Sequence, residues 1–486
     1  MRKWIILGAL VVAFGVAGAF ALANLNTYLN NNREWIASQA EAGLGRRISF
    51  EKIGVSVFGG VGARLVDLRV ADDPRFSSED FVRAGQVRVT VKILPALFGR
   101  YEVSRFILEK PIVNIIQTAE GFNFDSIGRT DAAGSGDTTA AGDDAPADAG
   151  GPPAAGDASA EALPLLVAAM RIADGEVRFT DRTAGGPDAA TLTIRRLDFE
   201  ASNVSLTGPV DVELRAAVLG GDDRNLKVEG TVGPVGALTD LDAVPVRATI
   251  DVGPLDVDAL LAAAPALAAQ LPPGLGLTGP VRVRATLSGS PAALTVSDLD
   301  VGATVFGATE RNLTVAGTVG PVSAEGAASD LKVDLQLGLG PVVIDDMKRL
   351  EAVAAALPAE FSATRPVHLD ASVAGPLDRL GLQVTFRGDE AEMRYGSTFV
   401  KPAGVPLQIA LTATRNDSVV NVEALNLTLS SLQASVTGQV TTDEPQAVDL
   451  QLKISPMELD GWDALLPAMA DYDLGGVIEA TLATKG

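Results

Sequence analysis

The sequence predicts a mainly β fold: antiparallel sheet with short connecting helices, carried behind one N-terminal transmembrane helix. Three observations predict it. Apolar and polar residues alternate with a period of two in many separate stretches, an uncharged apolar run opens the chain, and the second half repeats a strand–Pro–helix–strand unit. A period of two sends successive side chains to opposite faces, so each such strand is apolar on one side and wet on the other. A long sheet of that kind must hide its apolar face. It can close as a barrel or sandwich, or curl into a gutter that holds something apolar.

The apolar run extends from Trp4 to Ala23 directly after Arg2 and Lys3. At about 1.5 Å per residue it reaches roughly 30 Å, the thickness of a bilayer's hydrocarbon core. Trp4 suits the interface, and Phe14 and Phe20 complete the anchor. The positive-inside rule keeps the basic N-terminus in the cytoplasm and exports everything from Asn24 onward. Ala21-Leu22-Ala23 also offers a small-x-small cleavage site, so a removed signal peptide is the alternative. The apolar stretch exceeds the usual signal-peptide core of about 7–15 residues, which favours a retained anchor.

Composition narrows the function classes. Of 486 residues, 47% are hydrophobic but only 5% aromatic, and cysteine is absent. An exported chain without cysteine has no disulfides and must hold together by strand pairing and burial. The length prior allows two to four domains. The net charge of −22 is uneven: residues 1–129 hold 16 Lys/Arg and 12 Asp/Glu, leaving 23 basic and 49 acidic residues for the rest. The acidic bulk argues against nucleic acid, whose phosphates need a basic surface. A mildly basic segment beside the membrane suits anionic lipid, although solubility alone accounts for the acidic part equally well.

Four regions follow along the chain: an anchor at 1–23, an N-terminal domain at 24–129, a disordered linker at 130–160 and a repeated region at 161–486. Asn24 to Gly43 reads as a short helix, and strands begin at Ile48. Ile53, Val55 and Val57 alternate with polar residues or glycine, and Val87, Val89, Val91 and Ile93 alternate with Gln86, Arg88, Thr90 and Lys92. Phe106 to Ile116 contains Pro111 and reads as two short strands or one bent one. Thr130 to Ala160 is Ala, Gly, Asp, Pro, Ser and Thr, with six aspartates and no Lys or Arg. Such a stretch cannot bury enough surface to offset its ordering entropy.

Beyond Glu161 an alternating strand leads to Pro, to Asp four residues later, and to an Ala/Leu helix, at Pro254/Asp258, Pro341/Asp345 and Pro456/Asp460. Each Asp is placed to cap the helix behind it. A second strand follows, as in Val281/Val283 and Val367/Leu369, and Pro254 and Pro341 stand 87 residues apart.

Chemistry-bearing constellations are scarce. The lone histidine, His368, has no partner for a metal site. Gly274, Gly276 and Gly279 spell G-x-G-x-x-G, but Pro272-Pro273 and Pro280 flank them where a dinucleotide site needs a strand and a helix. Phosphate-loop, zincin and nucleophile-elbow motifs do not occur, and no acid pair stands out. The expectation is a non-enzyme without a cofactor.

The N-terminal residues carry a family pattern. Leu44-Gly45-Arg46-Arg47-Ile48, Val55-Ser56-Val57, Leu65–Val70, Ala71-Asp72-Asp73-Pro74-Arg75-Phe76, Val87–Pro95, Ala96-Leu97-Phe98-Gly99, Val103–Pro111 and Gly121-Phe122-Asn123 resemble the opening domain of the AsmA family. Ile172-Ala173-Asp174-Gly175-Glu176-Val177 and Leu192–Phe199 look like its next segment. The order and spacing of many weak motifs carry the resemblance, most closely up to about residue 129. It implies an anchor in the inner membrane of a Gram-negative cell, with the bulk of the chain in the periplasm. It also implies a chorein-like N-terminal part opening an elongated β-groove that transfers phospholipids and supports outer-membrane lipid homeostasis. Inward-facing positions such as Val87, Val89, Val91, Val281, Val283, Val333 and Leu335 would contact acyl chains collectively. About twenty strands at roughly 4.8 Å would give a groove on the order of 100 Å.

The implied partners are membrane phospholipids, the inner membrane and outer-membrane or periplasmic assembly proteins. The alternative is an assembly helper for outer-membrane β-barrels that acts by strand addition. The chain stops at Thr484-Lys485-Gly486 where larger relatives continue, so it is either a compact member or a fragment.

Overall fold

The structure, a computed structural model, describes residues 26–56, 61–91, 103–127, 168–183, 190–205, 207–221, 223–234, 241–263, 265–323, 330–443, 447–472 and 474–486. The predicted span with Trp4, Phe14 and Phe20, and the whole of the predicted linker, lie outside them. Among the described residues no helix is long and apolar enough to cross a membrane. The fold is mainly β, with 25 strands among the described residues. The chain divides into two compact units, Met1–Ser205 and Leu206–Gly486.

The first unit starts with helix. Residues 26–31 are helical, and α1 (Arg33–Leu44) follows after Asn32. Gly45 ends α1 in the left-handed conformation, its N–H bonded to the Glu41 carbonyl, a position for which glycine is the natural residue. The strands are β1 (Ile48–Ser49), β2 (Lys52–Ser56), β3 (Val61–Ala71), β4 (Asp80–Val91), β5 (Val103–Thr118), β6 (Gly121–Phe122), β7 (Ala169–Asp181) and β8 (Ala190–Ser202). They pair in the order β2–β3–β4–β5–β7–β8, with β1 also on β3 and β6 on β5.

One expectation changes here, and one open alternative is resolved. The sheet is mixed rather than wholly antiparallel, because β7 runs parallel to β5. A parallel neighbour needs a crossover of a dozen residues or more, and the chain between Phe122 and Ala169 supplies it. In addition, β5 is one strand that passes through Pro111, not two. Lys110, at φ 50°, absorbs the irregularity.

Lys110 has counterparts at Asp67, Asp174 and Arg196, with φ of 52–54°. At this level the apolar phase slips by one residue in each strand, from Leu65 to Leu68, from Leu108 to Pro111 and from Ile194 to Leu197. The left-handed residue lets the strand turn over one position, so the apolar set stays on one face across the step.

In the second unit the first four strands are β9 (Val210–Ala217), β10 (Leu226–Val232), β11 (Val246–Leu255) and, after α2 (Val257–Ala263) and α3 (Pro265–Gln270), β12 (Thr278–Ser290). Then come β13 (Ala293–Thr304), β14 (Leu313–Val322), β15 (Lys332–Val342), α4 (Ile344–Met347), α5 (Glu351–Ala356), β16 (Phe361–Thr364), β17 (Val367–Pro376) and β18 (Arg379–Arg387). The last are β19 (Glu392–Tyr395), β20 (Phe399–Lys401), β21 (Leu407–Asn416), β22 (Val419–Leu429), β23 (Leu432–Thr441), β24 (Val448–Glu458) and β25 (Val477–Lys485). Strands β16, β19 and β20 form a small separate sheet, and the other fourteen make one antiparallel ladder in chain order. Among the described residues no pairing joins β25 back to β9, so the ladder is not a closed barrel.

The predicted repeat is present as matching contacts. Asn225 accepts from the Val218 N–H and donates to the carbonyls of Val218 and Pro254. Asn312 does the same with Val305 and Pro341, each residue 87 positions on. The predicted caps sit differently. Asp256, not Asp258, accepts from the Ala259 N–H at 2.9 Å, and Asp345 lies inside α4. Buried Val257 and Ile344 start these helices, one position before the aspartates that the pattern singled out. Asp460 precedes a short 3₁₀ turn at Trp462–Ala464 rather than a helix.

Candidate functional site

One register row crosses all fourteen strands of the second unit. It runs Ala216, Leu226, Val252, Val283, Val301, Val315, Leu337, Ala371, Val384, Leu411, Leu425, Val436, Leu452, Leu482, each the direct partner of the next. Every member is apolar. At about 4.8 Å per strand the row follows the sheet for roughly 60 Å before twist shortens it. A parallel row runs Ala303, Leu313, Leu339, Leu369, Phe386, Ile409, Leu427, Ala434, Ile454, Ala480.

The exposure of the first row distinguishes it from a core. Ala216 is buried, Leu482 is 59% exposed, and the twelve between them are half-buried. In a sandwich the facing sheet would cover such a row to the level of a close-packed interior. The dry packing in this unit lies instead near one set of strand ends. Leu255, Val257, Val281 and Ala303 form one cluster there, and Met457, Trp462 and Leu465 form another. A third joins Val305, Phe306, Val342, Ile344, Val367, Met393 and Leu407 under α4, α5 and the small sheet.

Close backbone approaches accompany this one-sided packing. A Cβ on Gly230, Gly317 or Gly438 would stand 2.0, 1.9 and 2.0 Å from the carbonyl oxygens of Arg247, Asp334 and Asp449 on the next strand. Glycine at such points lets neighbouring backbones come together where a sheet bends.

The predicted contact residues separate on this frame. Val283 belongs to the fourteen-residue row, and Val333 and Leu335 are half-buried on β15. Val281 is 5% exposed inside a dry cluster, so it packs the rim rather than the open face. In the first unit Val87 is 3% exposed within a row Ile53, Leu65, Val87, Leu108, Ile172, Phe199. Val89 is half-buried beside Ala63 and Phe106. The backbone of Val91 pairs with Val61 and Val103, while its side chain lies outside the described set.

The opposite face of the second unit is polar and ion-paired. Arg284 meets Asp251 at 2.6 Å, Arg387 meets Asp370, and Lys485 meets Asp449 at 3.0 Å. A shallow depression of about 420 Å³ on this face is lined by Thr314, Gln336, Asp370, Ser372, Gln383 and Thr385. Its one carboxylate, Asp370, is already paired with Arg387. His368 is exposed on β17 opposite Arg387. Among the described residues no group of three or more His, Cys, Asp or Glu could hold a metal ion. Gly274 and Gly276 lie in the turn before β12, and Gly279 is its second residue.

Two polar constructions were not anticipated by composition. In the first unit Arg46, Asp72, Asp73 and Asn123 are all buried. Arg46 donates to the Asn123 carbonyl and to Ser126 Oγ, both at 2.7 Å, and lies 3.5 Å from Asp72 and 3.7 Å from Asp73. Asn123 donates to Asp72 and to the Asn114 carbonyl, and accepts from the Ile116 N–H. Arg75 grips Asp73 and holds its carboxyl well below the usual carboxylate range. Burial pushes Asp72 the other way, against the pull of Asn123 and Arg46. These residues belong to the short motifs at 46, 72–75 and 121–123, so the signal was present although its geometry was not. The knot ties the end of α1 to the segment that follows β6.

The second construction is Lys401. Fully buried, it donates to the carbonyls of Asp389, Ala391 and Pro402 at 2.9, 2.8 and 3.2 Å. Burial lowers its pKa. Nothing in the residues around it along the chain marks it as buried.

Comparison with known proteins finds no family model, no characterised protein and no solved structure that matches the chain.

Proposed function

We propose that the chain binds phospholipid acyl chains along the apolar rows and passes them along a β-groove, as a periplasmic protein held at the inner membrane of a Gram-negative cell. The observation that carries this reading is the fourteen-residue row, apolar throughout and half-open over twelve strands. An apolar path of this length left partly wet is costly unless something apolar lies on it. Acyl chains need only continuous apolar contact, and headgroups can stay in water.

The membrane-proximal end supports the same reading. Tyr28 and Trp35 are each 65% exposed, seven residues apart on one face of the helical segment that follows the apolar run. Exposed Tyr and Trp at that spacing suit the membrane–water interface. The resemblance to the AsmA family points in this direction too, and with it to a role in outer-membrane lipid homeostasis without catalysis.

The test is lipid extraction and native mass spectrometry of the purified chain after exposure to phospholipid vesicles. Co-purifying or acquired phospholipid is the expected result. A chain that stays lipid-free, with the apolar row protected from solvent-borne labels, removes the proposal.

A further inference from the structure

In the first unit Arg64 and Arg88 directly precede and follow Leu65 and Val87 of the apolar row, so they stand on the opposite, polar face. That face carries arginines toward both ends of β3, β4 and β7: Arg64 and Arg69, Arg88 and Arg83, Arg171 and Arg178. The two ends differ in how the charge is met. At one end Arg69 and Arg83 are direct cross-strand partners, and Asp67 meets them at 2.9 and 3.4 Å. Arg178 meets Glu176 at 2.5 Å.

At the other end Arg64 and Arg88 are direct partners in the same way. Glu109 meets Arg88 at 2.6 Å, but no carboxylate bridges the two. Arg105, whose partner Thr90 is two residues from Arg88, adds a third cation, and Arg171 a fourth opposite Glu200. Among the described residues Arg64, Arg105 and Arg171 make no ion pair, and all three are exposed. Like charges directly opposite on adjacent strands are destabilising. Glu109 and Glu200 offset two of the four arginines, so this end stays net positive.

Side-chain bonds fix what lies beside it. Asn30 donates to the Ile53 carbonyl at 2.6 Å and accepts from the Ile53 N–H at 3.1 Å, while Asn26 accepts from the Val55 N–H at 2.6 Å. The helical residues 26–31 therefore follow the outer edge of β2, with Asn26 at Val55. Gly54 pairs with Arg64 and Val55 with Ala63. The described residue nearest in sequence to the apolar run is thus level with Arg64 and Arg88. Arg69 and Arg83 lie five residues further along their strands, roughly 17 Å away.

We infer that Arg64, Arg88, Arg105 and Arg171 dock this end of the first unit on anionic phospholipid headgroups of the bilayer that holds the apolar run. A headgroup phosphate between Arg64 and Arg88 does for that pair what Asp67 does for Arg69 and Arg83. Guanidinium groups take phosphate oxygens in a bidentate fork, and each basic residue near an anionic surface adds to the attraction. The location, though not the chemistry, rests on the reading of residues 4–23 as a membrane anchor. It does not depend on lipid being the cargo.

The test is arginine modification by phenylglyoxal, read peptide by peptide by mass spectrometry, on the full chain in lipid nanodiscs. Discs of phosphatidylcholine alone are compared with discs that also contain phosphatidylglycerol. Arg64 and Arg105 should react roughly fivefold more slowly in the anionic discs, and Arg83 at one rate in both. At about 1 M salt, where the screening length falls to about 3 Å, the protection should vanish. Arg64→Glu should weaken the protection of Arg105 yet raise the melting temperature, because a glutamate there attracts Arg88. Retention by the neutral discs reports the anchor separately. If neutral discs retain the chain and phosphatidylglycerol protects nothing, the docking falls and the anchor stands. If only anionic discs retain it and Arg64 is protected, the docking stands and the anchor falls. Equal protection by inorganic phosphate in neutral discs marks a small-anion site and overturns the membrane assignment, as does equal protection of Arg83.

Discussion

Placing a carboxylate at Leu411 separates an open apolar path from a closed core. Leu411 sits mid-row between Val384 and Leu425 and is half-buried. Fully burying a leucine is worth about 1.5–3 kcal/mol, so the buried part of this side chain contributes about 1–2 kcal/mol. In Leu411→Asp the new charge keeps its water, and no unpaired buried ion is created. The expected cost is therefore about 1–2.5 kcal/mol, a drop of roughly 2–4 °C in melting temperature for a unit of this size. Val367→Asp is the control. Val367 is 1% exposed in the rim cluster, so that change loses a buried side chain and strands a charge, for about 5 kcal/mol or more. Thermal unfolding measures both, and phospholipid loading from vesicles is measured on Leu411→Asp. Loading should fall severalfold with the fold intact. If Leu411→Asp destabilises as much as Val367→Asp, the row is dry core. If loading is unchanged, the row is not the path.

Three further perturbations follow from the geometry. Lys401→Met fills a similar volume but leaves the Ala391 carbonyl unpaired, while the Asp389 and Pro402 carbonyls keep the Gly404 and Val405 N–H groups; it should cost about 1–3 kcal/mol in denaturant unfolding. Asp73 is held below its ordinary 3.8 in the folded chain. Its contribution is thus complete above the unfolded value and declines as pH falls through and below it. The melting temperature should drop as pH goes from about 5 to 3, and Asp73→Asn should flatten that drop while lowering stability at neutral pH. Gly438→Ala, whose Cβ would meet the Asp449 carbonyl oxygen at 2.0 Å with φ at 140°, should cost several kcal/mol on the order of other strained backbone sites. By contrast Gly43→Ala, in α1 with nothing within 4 Å, should gain about 0.5–1 kcal/mol; the opposite ranking would contradict the close approach at Gly438.

Strand type and the repeat were legible in the sequence because both depend on local order. The alternation at Val87, Val89 and Val91 marks a one-sided strand wherever it pairs, and the spacing from Pro254 to Pro341 survives as the Asn225 and Asn312 contacts. Register was not legible. Nothing in the alternation of Val333 and Leu335 says that Leu337, two residues on, faces Ala371 and Val315. Nor does alternation separate Val281 from Val283, which share a face; α2, packing over the strand end, buries Val281 alone. The parallel pairing of β5 with β7 depends on a connection of low-complexity residues that carries no pattern at all. Asp258 was a misplaced cap for a simpler reason: the helix starts where buried Val257 needs it to start, and Asp256 was the acceptor in reach. Arg46, Asp72 and Asn123 appeared as separate short motifs, and only the fold brings them within bonding distance.

The matched contacts of Asn225 and Asn312 make the chain a ruler. One period of 87 residues carries β10 to β13 onto β14 to β18, with small-sheet strand β16 additional in the second copy. Every period therefore adds four strands to the main ladder, roughly 19 Å of travel at about 4.8 Å each. The row itself steps along the strands from one module to the next: it enters the first at Leu226 and the second at Val315, two residues past the equivalent Leu313. A span set in this way is inherited by duplication rather than by gradual extension. Chains differing by one period would differ by four strands of the same one-sided sheet.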